Sequence, residues 1–284
     1  MAGIGDEIQD RLRRWTLELG GPGTRERLEK LTPPRNEYGV DPYGFDVDYL
    51  QAAAAPVLWL YRKYFRVKAF GLENVPGEGP VLIVGNHSGQ LPFDAAMVEA
   101  ACLVDKDPPR AVRALVDKWV PTLPFVSTLF SRCGQVVGTP ENCRRLLSAG
   151  EALLVFPEGT RGLNKPFARR YQLQGFGLGF MRLALENDVP IVPVGVVGAE
   201  EQAPAIFNLQ PVAKLLDFPH FPITATGLPF PLPVRYRLWF GAPLRFTGRP
   251  DDEDAVLEPK VAQVRDAVAG LLAKGLSERE HVFW

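Results

Sequence analysis

Cysteine is scarce in this chain. Its three cysteines, Cys102, Cys133 and Cys143, make no C-x-x-C pair and no even-numbered framework. A disulfide scaffold is thereby disfavoured and a reducing compartment suits the pattern. Histidine is as rare. His87, His220 and His281 stand apart, with no cluster at metal-ligand spacing, so no metal site is expected. Charge of one sign is missing too. The formal net charge of −1 offers no basic excess for nucleic acid. Long apolar runs are absent: the longest, Ala52–Tyr61, is interrupted by Pro56, well short of the ~18–20 residues that cross a bilayer. The first residues, Met-Ala-Gly-Ile-Gly-Asp-Glu, carry acids where a secretory signal needs bases. The expectation is a chain that is soluble or lies on a membrane surface. What remains is ordinary globular composition, 46% apolar and 23% charged over 284 residues. That is enough for one large domain or two small ones with a sizeable core.

The most informative stretch is Val81–Asp94. Val81–Val84 is a short aliphatic run of the kind buried on both faces of a sheet. Gly85 and Asn86 break it, and His87 follows where the strand ends. Pro92 and Phe93 lead into an apolar helix over Ala95–Leu103, with Asp94 in its first turn, where a carboxylate suits the helix dipole. An imidazole and a carboxylate thus meet at a strand-to-helix junction, the edge where open α/β sheets hold ligands. The pair suits general-base catalysis: a neutral imidazole takes a proton from a hydroxyl, and the carboxylate fixes its tautomer. A capping aspartate beside a histidine that merely bonds a loop is the alternative reading.

A second signal is Pro157-Glu158-Gly159-Thr160-Arg161-Gly162, at the end of another buried-type strand, Ala152–Phe156. Its glycines permit close backbone approach, and Arg161 offers a planar fork for phosphate. Exposed amides there suit a phosphate or a developing oxyanion. Glu158 is placed to accept from a hydroxyl or to anchor the arginine. An ordinary turn with a surface ion pair fits the same residues.

Along the rest of the chain, residues 1–34 read as one or two amphipathic helices and Asp46–Phe65 as another. The aromatics and bases of that last helix suit either a lipid headgroup boundary or a packed helix with its cations at the dipole end. Further strands are expected at Val67–Phe70, Arg110–Val116, Gly134–Val137, Pro190–Val197 and Tyr236–Phe240. Helices are expected at Pro121–Ser131, Glu141–Leu147 and Phe176–Glu186. Asp251–Lys274 puts Leu257, Val261, Val264, Val268 and Leu271 on one helix face. Strand and helix alternate, which gives an α/β fold: a mostly parallel central sheet covered by helices, behind N-terminal amphipathic helices. Three parts follow: 1–65, helical and a candidate for membrane association; 66–250, the α/β domain; and 251–284, a C-terminal helix packed on it. The proline-rich stretch Ala203–Val234 reads as an apolar lip for an acyl chain or as a stiffened loop on the body.

Taken together, the two motifs resemble the glycerolipid acyltransferase family, whose best-known members are the lysophosphatidic acid acyltransferases. Asn86-His87…Asp94 is similar to its Asn-His-x4-Asp block. Phe156-Pro157-Glu158-Gly159-Thr160-Arg161 matches its later block unchanged, and Val189–Val194 is similar to its proline-containing strand. The resemblance covers about residues 65–245 and implies the glycerol-3-phosphate acyltransferase-like fold. It also implies an O-acyltransferase, with His87 and Asp94 catalytic and Glu158, Gly159, Thr160 and Arg161 binding substrate. No cofactor is implied beyond the acyl-CoA or acyl carrier protein that serves as co-substrate. A lysophospholipid such as lysophosphatidic acid is the implied acceptor, and the implied location is peripheral, on the cytoplasmic face of a membrane.

Two departures point to a divergent branch. Six residues separate His87 from Asp94 rather than four. The middle block, Gly134–Thr139, lacks its arginine, for which Arg144 or Arg145 is the nearest substitute. A missing phosphate contact favours a less charged acceptor, such as diacylglycerol. A hydrolase reading suffers from the absence of a Gly-x-Ser-x-Gly elbow. A non-catalytic lipid-binding protein of the same fold is disfavoured by the intact Phe156–Arg161 block.

Overall fold

The aliphatic runs become strands and the amphipathic stretches become the helices that cover them. The computed structural model describes residues 4–31, 36–88, 92–163, 165–208, 222–224 and 231–283. Its strands are β1 (Lys68–Phe70), β2 (Val81–Gly85), β3 (Val112–Val116), β4 (Val136–Val137), β5 (Ala152–Val155), β6 (Ile191–Val197), β7 (Ala205–Asn208), β8 (Pro222–Thr224) and β9 (Arg237–Phe240). Seven form one sheet in the order β1-β9-β6-β2-β5-β3-β4, while β7 and β8 pair separately. Every neighbouring pair in the large sheet is parallel except β6 with β9. The expected α/β fold with a mostly parallel sheet is therefore what forms, with β9 as its antiparallel exception.

The helices are α1 (Ile4–Gly20), α2 (Thr24–Glu29), α3 (Val47–Trp59), α4 (Phe93–Val104), α5 (Val126–Arg132), α6 (Pro140–Ser148), α7 (Thr160–Leu163), α8 (Gly179–Glu186) and α9 (Asp254–Ser277). Central strand β2 shows why they sit where they do. Val81 and Ile83 share a core with Leu58 of α3 and Met97 and Ala101 of α4. Leu82 and Val84 share the opposite core with Leu147 of α6, Met181 of α8 and Val264 of α9. Alternate side chains point to opposite faces. A one-residue slip would swap these cores, and the layering fixes the register.

The N-terminal stretch is tied to this body. The Asp46 carboxylate caps α3 by accepting from the Tyr49 amide at 2.9 Å. A π-turn, Leu60–Tyr64, prolongs the helix. Tyr61 and Phe65 are fully buried, and Arg62 pairs with Asp105 at 2.6 Å. At the other end, the α9 stripe drifts as a 3.6-residue period must. Val268 is followed inward by Leu272, and the expected Leu271 is only half-buried. Of the proline-rich stretch, residues 209–221 (with His220) and 225–230 lie outside the described residues. Among the described residues no helix is long and apolar enough to cross a membrane. Because β2, β5 and β6 run parallel, the segments after them, 86–88, 156–163 and 198–202, gather at one sheet edge.

Candidate active site

Asn86 ends β2 and is fully buried. Its side chain clamps the β6 backbone, accepting from Val196 N at 2.7 Å and donating to Val196 O at 3.1 Å. The next residue, His87, is thereby launched from a fixed strand end. Its Nδ1 lies 2.7 Å from Asp94 Oδ2, with 16% of the side chain exposed against 0% for Asp94. The same Asp94 oxygen accepts from Ser88 N at 3.0 Å, and Oδ1 accepts from Ala95 N at 2.8 Å. A carboxylate so held can only accept from the ring. In the neutral ring the proton therefore sits on Nδ1 and the lone pair on Nε2. Residues 89–91, which make up the wider spacing, lie outside the described residues, yet the chain beyond them returns Asp94 to the imidazole.

The second motif packs directly on the first. The rings of His87 and Phe156 stack with centroids 4.4 Å apart and an interplanar angle of 8°. Gly85 makes room, since a Cβ there would come within 3.3 Å of the Phe156 ring and 2.9 Å of Val194. Glu158 Oε1 accepts from the His87 amide at 2.9 Å. Gly162 lies against His87 so closely that a Cβ would meet its carbonyl oxygen at 2.9 Å. Gly159, at φ 56°, turns the chain with its N–H spent on Phe156 O at 2.9 Å. The Thr160 side chain lies outside the described part. Arg161 is exposed and donates to Gly175 O at 2.9 Å.

Glu158 does not hold Arg161. The Glu158 carboxylate is fully buried, and its Oε2 accepts from Gln174 N at 2.7 Å and lies 3.3 Å from Lys165 Nζ. Lys165 in turn donates to Glu200 Oε1 at 2.9 Å. Sequence reasoning missed both Lys165 and Glu200. The nearest signal is the acidic pair Glu200-Glu201 just after an apolar strand, where free carboxylates are not expected to be buried. Glu201 is held by Arg279, with one contact at 2.9 Å, and accepts from the Tyr171 hydroxyl at 2.9 Å. Burial pushes the Tyr171 phenol well up, with Glu201 adding to it. Burial likewise raises Tyr236, and the charge of Asp94 adds to the shift; its hydroxyl donates to Gln202 Oε1 at 2.5 Å. Arg144 and Arg145 pair with Glu186 and Glu141, at 2.9 and 2.7 Å. Among the described residues no three His, Cys, Asp or Glu are grouped to hold a metal.

This geometry can be set beside known proteins. Residues 66–197 match the family model described as Acyltransferase. An uncharacterised protein of Mycobacterium leprae is 37% identical over 260 residues, covering 87% of this chain and 71% of that one. A bovine protein named as a DGAT1/2-independent enzyme synthesizing storage lipids is 27% identical over 204 residues, or 72% of this chain and 58% of that one. The crystal structure of the 1-acyl-sn-glycerophosphate acyltransferase PlsC from Thermotoga maritima superposes with a TM-score of 0.56 at 15% identity, covering 96% of this chain and 98% of that one; at that identity it speaks for the fold. With both motifs in contact inside the matched region, this chain belongs to the glycerolipid acyltransferase superfamily.

Proposed function

We propose that this enzyme moves a fatty acyl group from a thioester, acyl-CoA or acyl carrier protein, to the hydroxyl of a lysophospholipid such as lysophosphatidic acid. Nε2 of His87 takes the hydroxyl proton. The resulting oxygen attacks the thioester carbonyl, the carbon–sulfur bond breaks, and the leaving thiolate recovers the proton from the imidazolium. Asp94 holds the tautomer and stabilises the ring's positive charge, a general-base contribution on the order of 10²–10⁴-fold. The exposed Arg161 receives the acceptor's phosphate through its planar fork. The observation that supports this most is the 2.7 Å contact of Nδ1 with a carboxylate already oriented by two amides. Such an acceptor is a membrane lipid, so the proposal includes peripheral contact with a membrane surface at its cytoplasmic face.

One relative's name refers to storage lipids, and the middle block lacks its arginine. These two facts favour diacylglycerol as the second acceptor to try. Purified protein incubated with labelled acyl-CoA and separate lysophosphatidic acid, other lysophospholipids, diacylglycerol or water tests the proposal. Label in phosphatidic acid is expected. Label in triacylglycerol moves the acceptor to a neutral lipid, release of free acid makes the protein a hydrolase, and no turnover refutes the reading.

A further inference from the structure

Beneath the site lies a buried chain of charges that the mechanism above does not use. Glu158, Lys165 and Glu200 expose 0%, 4% and 5% of their side chains. Two carboxylates here share one ammonium. Glu158 spends Oε1 on the His87 amide and Oε2 on the Gln174 amide and Lys165. Glu200 takes Lys165 on Oε1 and the Tyr171 amide on Oε2 at 2.8 Å. Other charges around the cluster, among the described residues, have partners of their own or face outward. Glu201 is held by Arg279 and lies 3.7 Å from Arg170, Asp94 is on the His87 ring, and Arg161 faces outward.

We propose that Lys165 is a positioning residue for the reaction: held by Glu200, its ammonium pairs with Glu158, the acceptor of the His87 amide, and so fixes the backbone that presents the imidazole. The proposal rests on His87 being the base. Its physical ground is simple. A carboxylate fully removed from water stays charged only if it is paired and hydrogen-bonded. Burial already raises the Glu200 carboxyl above its ordinary value, and Lys165 is the strongest influence opposing that rise. Without the ammonium, Glu200 loses the partner that opposes its rise and Glu158 is left buried without a cation, so the pair takes up a proton. A neutral Glu158 accepts more weakly from the His87 amide, which loosens the backbone that presents the ring, although Asp94 still holds Nδ1. Displacements of about 1 Å at a reacting group can cost 10²-fold in rate.

The test compares wild type with Lys165→Met, Glu200→Gln and the double variant. Lys165→Met is expected to lower kcat roughly 10- to 100-fold, with KM for both substrates nearly unchanged. Its kcat should gain an extra dependence on pH, rising as the shared proton leaves. The double variant removes one charge of each sign, leaving Glu158 without a like-charged neighbour. It leaves Glu158 with no cation and should match Lys165→Met in kcat, whereas Glu200→Gln keeps the ammonium on Glu158 and should retain most of kcat without the extra limb. An activity-independent readout is exchange of the His87 amide, followed after ¹⁵N-histidine labelling, since the chain has three histidines. That amide should be protected in wild type and Glu200→Gln, and exposed in Lys165→Met and the double variant. Wild-type kcat, pH profile and amide protection in Lys165→Met would overturn the proposal. A loss of kcat in Lys165→Met with a wild-type pH profile and a protected His87 amide would overturn it as well, showing a packing defect. If His87→Gln keeps its activity, the base assignment fails separately, whatever the amide exchange shows.

Discussion

Two of the buried ion clusters among the described residues do different work. One is Glu158–Lys165–Glu200, at the carboxyl edge of the sheet, where it holds the backbone of a partly buried imidazole. The other is Arg113–Asp41, with side chains 1% and 3% exposed and Nη1 2.8 Å from Oδ2. There Asp41 also accepts from the Tyr43 and Phe45 amides, both at 2.8 Å, and the guanidinium lies 4.9 Å over the Phe45 ring. Arg113 therefore pins the 41–45 loop to the sheet and touches nothing at the site. The chemistry is alike in both places, but only the first cluster ends on a group that reacts. Burial of charge shows that a position is held, and the groups at the far end of the cluster decide what it is held for.

The comparison sets a ceiling and a floor for experiment. The largest effect belongs to the group that the edge cluster serves. His87→Gln should lower kcat/KM by on the order of 10³–10⁴-fold with an unchanged melting temperature, checked by labelled acyl transfer and calorimetry. Next is Arg113→Met, which strands the buried Asp41. It should cost about 3–5 kcal/mol in urea unfolding while the folded protein turns over at the wild-type rate; a rate loss without a stability loss would erase the distinction. Asp94→Asn frees the ring tautomer and should cut kcat roughly 10²-fold, with acceptor KM little changed. The smallest effect is a pH dependence beside Arg113. Burial lifts the Glu99 carboxyl from 4.5 to about 7, against the bonds from Gln135 and the Ala114 amide. The folded protein thus keeps a proton there that the unfolded chain releases. This group's stabilisation is full below pH 4.5 and is lost as pH rises through 7. Glu99→Gln should flatten that slope by on the order of 1–2 kcal/mol, allowing for the partial exposure of the group, with site activity unaffected.

Much of this was legible along the chain because it is local. The Val81–Val84 run, the break at Gly85-Asn86 and the helix after Pro92 place His87 and Asp94 by short-range pattern alone. The Phe156–Arg161 block announces a turn at the end of a strand for the same reason. The surroundings of Glu158 were not legible. Whether a carboxylate in a turn faces substrate or the interior depends on which loops share its edge, and hence on the order β6-β2-β5. Lys165 is near in sequence, but Glu200 is brought in only by β6. The antiparallel entry of β9 escaped for a similar reason: it follows the proline-rich stretch, whose course no periodicity sets.

The most direct test of the account is to follow, in one buffer series, the pH dependence of kcat/KM and the ring titration of His87 by NMR. The account predicts that acyl transfer rises as the imidazole loses its proton, with the two midpoints coinciding and the rate limb disappearing in His87→Gln. A rate that stays level across the ring's titration, or that is higher with the ring protonated, would contradict it.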